Sequence, residues 1–334
     1  MAISRIAAAL GLTLLAYNIF GSSPGERVGI YLADNPNVDL LKNVVVEEEI
    51  TEPVVKIMET ISSPEPVIPS PIIAEEIEPE ENKEKIKETY IHGGMSIKNE
   101  TDYEIDTTEF LSLGPQVKLS DEGAQILIIH THGSEAFTPA GLDRYEESDK
   151  LRTADTEYNI IRIGDELTKL LEEQGLKVIH DREIYDYPSY TGSYNRSGQA
   201  VENHLKENPT ISVVFDIHRD ALSSNGIIYK TIADESGSCA SQIMLLAGSN
   251  ASGLEHNNWQ KNLSLALYLQ QAVNKNYPSL MRPVTLVKER YNTHLTTGSM
   301  IVEVGSSGNT LQEALAAIRL FSNAIGPALV ELIE

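Results

Sequence analysis

Short apolar runs that alternate with stretches of helical periodicity constrain this chain more than any other feature. From about Gln116 onward, QILIIH, LKVIHDR, ISVVFDIHRD and SMIVEVGS read as strands buried on both faces, and GIIYKT and QIMLLAG read as two more. Between them lie amphipathic helices. Asp155–Gln174 puts Ile160, Ile163, Leu167, Leu170 and Leu171 on one face, with Asp155 or Thr156 as cap and Gly175 as stop. Gly192–Asn208, Asn257–Asn276 and Leu311–Ile333 are further helices. Continuous apolar strands need cover on both faces. The pattern therefore specifies an α/β domain over 116–334, a mostly parallel sheet flanked by helices.

Open α/β sheets bind ligands beyond the carboxyl ends of their strands. Three of the runs carry ionisable groups there. ILIIHTHGSEAF ends in His130, His132 and Glu135; VVFDIHRD ends in Asp216, His218, Arg219 and Asp220; Glu303 stands inside IVEVG. Two neutral imidazoles and one carboxylate leave a zinc ion positive enough to acidify water, and a further glutamate can move the proton. His132, His218 and Glu303 suit those roles, with Glu135 offered as the carboxylate by the H-x-x-E spacing. His130 alternates with His132, so its side chain is expected to face away. His180, His204, His256 and His294 fall on loops or helix faces and carry no expected role. The single cysteine, Cys239, excludes a disulfide within the chain and a Cys-based zinc site.

What precedes the domain differs. MAISRIAAALGLTLLAYNIFGSS places Arg5 before an apolar run from Ile6 to Phe20. Those residues cover about 22 Å as a helix, against a hydrocarbon core of roughly 30 Å. Residues 1–21 are accordingly expected to be a signal anchor, with the domain outside the membrane. Residues 22–115 hold 21 Asp/Glu against 7 Lys/Arg and include PEPVIPSPII. They are expected to be a largely disordered acidic, Pro-rich linker. The net charge of −23 argues against a nucleic-acid partner.

The ordered set ILIIHTHGSEAF, RTADTEYNIIRIGDELTKLLEEQGLKVIHDR, SYNRSGQAV, VVFDIHRDA and MIVEVGSSGNTLQEA resembles the stage II sporulation protein P family over roughly 120–334. That family is similar to zinc N-acetylmuramoyl-L-alanine amidases of the amidase_3 type. The resemblance implies a membrane-anchored peptidoglycan hydrolase that cleaves the bond between N-acetylmuramic acid and L-alanine. It also implies endopeptidase action on cross-links, work in forespore engulfment, and stage II sporulation proteins D and M as partners. By the same resemblance His132 and His218 match zinc ligands and Glu303 the catalytic glutamate. For the carboxylate ligand the family's own H-T-H-x-x-E pattern offers Glu135, whereas a gapless amidase comparison points to Asp155 or Glu157. Arg196 and Arg219 are expected to meet substrate carboxylates or carbonyls, because guanidinium presents a planar fork of donors. Two rival readings remain open on the residues: a non-catalytic peptidoglycan-binding module, and a zinc carboxypeptidase-like peptidase.

Overall fold

In the computed structural model, which describes residues 85–235 and 238–334, the apolar runs lie side by side. In chain order the strands are β1 (Lys85–Thr89), β2 (Ile97–Asn99), β3 (Ile126–Ile129), β4 (Val178–His180), β5 (Val213–Asp220), β6 (Ser223–Ser224), β7 (Ile227–Thr231), β8 (Ala233–Glu235), β9 (Ser238–Ala240), β10 (Ile243–Ala247), β11 (Val284–Leu286) and β12 (Ser299–Ser306). The helices are α1 (Thr107–Leu113), α2 (Ile160–Glu172), α3 (Ser193–Glu207), α4 (Trp259–Asn276) and α5 (Leu311–Val330). One sheet runs β2-β11-β10-β12-β5-β3-β4. All its pairings are parallel except β10 with β12. The expected α/β class is what forms.

The continuous apolar character of β3 has a direct cause. Ile126 and Ile128 join the core beneath α2, with Ile160, Ile163, Leu167 and Leu171, while Leu127 and Ile129 pack with Val201 of α3 and Val214 of β5 on the other face. All four β3 residues are fully buried, and each such side chain stabilises the fold by about 1.5–3 kcal/mol. The helix α5 is long and apolar enough to cross a membrane, but Leu315, Ile318, Phe321, Ile325 and Leu329 sit in the core.

Two expectations change. The helix expected from Asp155 begins at Ile160, capped by Asn159, whose side chain accepts from Ile161 N. Residues before it are held elsewhere: Thr153 N donates to Ser134 O, and Asp155 accepts from Glu157 N in a local turn. The domain also begins well before residue 116. β2 pairs with β11, β1 pairs with β7, and α1 packs on α4, with Tyr103 stacked on Trp259 at 5.1 Å. Acidic composition concealed a few apolar anchors, Met95, Ile97, Ile105, Phe110 and Leu111, that reach the core. The expected anchor and the linker up to residue 84 lie outside the described residues.

Gly164 marks the tightest approach of α2 to the sheet. A Cβ there would lie 2.5 Å from His130 Nε2 and 2.6 Å from His180 Nε2, two rings that are hydrogen-bonded at 2.8 Å. Gly164→Ala is therefore expected to destabilise the domain by about 1–3 kcal/mol, although alanine is the better helix former. Chemical denaturation checks this; a variant as stable as the parent would show that the His pair yields freely.

Candidate active site

The strands β12, β5 and β3 are adjacent and parallel, so their carboxyl ends open on one edge. Glu303 lies in register with His218. The chain bends immediately afterwards, at a register shift between Glu303 and Ser306 that contains Gly305 with φ +69°. A left-handed residue there favours glycine, and a Cβ would also meet Ser241 at 2.9 Å.

His132 and His218 face each other, ring centroids 5.2 Å apart and nearly perpendicular. Glu135 completes the group, with Oε2 3.5 Å from His218 Nδ1. It gets there because the loop after β3 folds back, Glu135 N donating to His132 O. Glu135 Oε2 also accepts from Arg219 N at 3.1 Å, and Oε1 accepts from Arg152 at 3.3 Å. Burial would raise this carboxyl, but Arg219 and then His218 outweigh it and hold it far below the usual carboxylate range. Asp155 and Glu157, the alternative carboxylates, are exposed and contact neither histidine.

Around this group stand Asp216, which the sequence places at the strand end without a role, and two residues it does not indicate, Asp186 and Arg152. Asp216 accepts from Thr131 N at 2.8 Å and from its hydroxyl at 2.6 Å, and lies 3.0 Å from His218 Nε2. Burial would lower the His218 imidazole, yet Asp216 and then Glu135 push it well above its ordinary value. Asp186 accepts from Ser134 N and Oγ and from Arg152, and reaches within 3.8 Å of His132 Nδ1. Burial, reinforced by His218, lowers His132 to about 4. The alternation of Asp216 with His218 was a readable signal; Asp186 and Arg152 come from loops without periodicity, where none existed.

Other residues take different roles from those expected. His130 does face away, with Nδ1 3.1 Å from Ile217 O and Nε2 on His180. Arg196 donates to the carbonyls of Tyr185, Ser189 and Thr191, so it staples the loop that carries Tyr190. Arg219 donates to Ala136 O and Leu151 O and is buried. These arginines shape the loops, because unpaired main-chain carbonyls near the site claim their donors first.

Two buried atoms in the cluster have no hydrogen-bond partner, His132 Nδ1 and Glu303 Oε2, whereas His218 Nε2 faces Asp216 at 3.0 Å. Burying polar atoms unpaired is costly, so these invite a ligand. Two imidazoles and a carboxylate held deprotonated suit zinc in kind. The sphere is not closed, however: among the described residues no three His, Cys, Asp or Glu side chains converge as ligands of one ion. Burial, helped by Asp220 and Glu135, pushes Glu303 to about 8, against the pull of His218. A carboxyl in that range can both accept and return a proton near neutral pH.

The family described as stage II sporulation protein P matches residues 43–326. No curated protein matches. Among solved structures, the N-acetylmuramoyl-L-alanine amidase AmiC2 of Nostoc punctiforme is 14% identical, covering 62% of this chain and 96% of its own at a TM-score of 0.36. The N-acetylmuramoyl-L-alanine amidase from Clostridium difficile 630 is 15% identical, covering 63% and 95% at 0.35. The catalytic domain of CwlV from Bacillus (Paenibacillus) polymyxa var. colistinus is 16% identical, covering 62% and 97% at 0.34. No residue role is taken from them.

Proposed function

The chain belongs to the stage II sporulation protein P family, and on that premise we propose that it is a peptidoglycan hydrolase, a zinc-dependent N-acetylmuramoyl-L-alanine amidase. The observation that carries the reading is the unpartnered Oε2 of buried Glu303, beside His218 and the pair His132 and Glu135. His132, His218 and Glu135 would hold the ion. When bound, zinc would acidify a water and polarise the scissile carbonyl.

The chain's own residues supply the rest. Glu303 takes a proton from the attacking water on its free Oε2 and returns it to the leaving amine of L-alanine. Asp216 orients the His218 ring through the side turned toward it, as carboxylates behind ligating histidines do. Arg152 ties Glu135 to Asp186, which fixes the loop bearing His132. Endopeptidase action on cross-links, a part in forespore engulfment and the partners stage II sporulation proteins D and M belong to the same proposal, supported by the family. So does an extracytoplasmic domain anchored to the membrane by residues 1–21.

Incubation with purified peptidoglycan tests the reading. An amidase frees whole stem peptides with a new L-alanine amino terminus, and a chelator stops their release. Products trimmed only at their ends would instead indicate a carboxypeptidase. Sedimentation with peptidoglycan and no product would indicate a binding module.

A further inference from the structure

An aromatic ridge borders the site on one side. Tyr190 stacks on His132, ring centroids 4.4 Å apart and planes within 10°. Tyr194 meets the same imidazole edge-on at 5.4 Å and continues to Tyr291 at 5.1 Å. These rings come from two separate segments: the stretch that leads into the first turn of α3, with Tyr190 and Tyr194, and the loop after β11, with Tyr291. Convergence of that kind is not a by-product of one helix face.

Three observations say that the ridge serves a ligand. Tyr291 has φ +47°, a region a bulky side chain enters only at a cost, and such strain persists where the surroundings impose it. Among the described residues, none of the three phenol hydroxyls makes a hydrogen bond, and none is an atom sealed from solvent, so all three stand open to a ligand. Tyr190 is also 54% exposed at a loop tip that Arg196 ties down through three carbonyls, so a large aromatic is held rigidly in water.

The ligand's chemistry follows from what the ridge offers and what it lacks. It offers apolar ring faces edged by free hydroxyls. It lacks a spare cation: the Arg152 guanidinium, 5.1 Å from the Tyr190 ring centroid, is already paired with Asp186 and Glu135, and Arg196 and Arg219 are committed to carbonyls. Glu289, Glu303 and Glu100 add negative charge around Tyr291. An anionic peptide is therefore disfavoured. A neutral ring with one apolar C–H face and a polar rim fits.

We propose that Tyr190, Tyr194 and Tyr291 form a subsite on which a pyranose ring of an N-acetylated glycan lies, next to His132. This rests on the peptidoglycan reading and assigns its sugar-binding residues. Tyr190, Tyr194 and Tyr291 position substrate; they do not carry the chemistry.

The N-acetylglucosamine tetramer, an uncut mimic of the glycan, tests it by calorimetric titration of the full-length chain. Tyr190→Ala and Tyr291→Leu are expected to weaken binding by about ten-fold each, whereas Tyr291→Phe, which keeps the ring, stays within about three-fold. Melting curves of each variant accompany the titration; Tyr190, being half exposed, can be removed without unfolding the domain. Unchanged binding in folded Tyr190→Ala and Tyr291→Leu overturns the subsite. So does failure of the parent to bind the tetramer while it releases stem peptides. Tetramer binding by a parent that releases no stem peptide keeps the subsite and removes the amidase reading.

Discussion

Glu303→Gln is expected to lower stem-peptide release by at least about 100-fold while leaving the fold and the bound metal in place. The reason is local. Oε2 of Glu303 has no hydrogen-bond partner, so the amide strands no neighbour when it replaces the carboxyl. Burial already pushes the carboxyl to about 8, so the neutral amide meets an environment that tolerates the uncharged form. What the amide cannot do is accept a proton from water. Three measurements separate these effects: a melting curve, metal content by elemental analysis, and the initial rate of product release. A variant that retains more than a tenth of the parent rate would remove Glu303 from the proton-transfer role.

The second large effect concerns the carboxylate of the proposed metal site. Glu135→Gln is expected to lose bound zinc and at least about 100-fold of activity, and to destabilise the domain by about 3 kcal/mol. The stability term arises because Glu135 compensates buried positive charge, accepting from Arg219 N and Arg152 while lying 3.5 Å from His218. Asp155→Asn and Glu157→Gln are expected to change neither zinc content nor rate by more than about two-fold, because both side chains are exposed and touch neither histidine. Zinc lost from the Glu157 variant and kept by the Glu135 variant would reverse the assignment.

The strand pattern made the sheet and its functional edge legible, because runs buried on both faces and ending in ionisable groups leave few arrangements. That His130 turns away did not follow from strand alternation, which puts residues two apart on one face; β3 ends at Ile129, and the backbone beyond it parts the two rings. The carboxylate was legible only in part: the H-x-x-E spacing offered Glu135, while Asp155 and Glu157 stayed open. Glu135, Asp155 and Glu157 all lie after β3 in chain order, and only the backward fold of the loop separates them. Arg196 and Arg219 show the same limit from the other side. Their chemistry allows them to meet substrate, but main-chain carbonyls that no pattern reveals take their donors. The tyrosine ridge was invisible for a similar reason, as Tyr291 lies far in sequence from Tyr190 and Tyr194 and joins them only through the loop after β11.

The place where the domain begins has a consequence for what travels as a unit. β2 covers the flank of β11 along Val284–Leu286, and β1 continues the small sheet through β7. A fragment cut at residue 116 would leave β11 with a bare row of main-chain donors and acceptors, the template on which chains pair with one another and precipitate. The unit that folds together is therefore the large sheet with β1, β2 and α1.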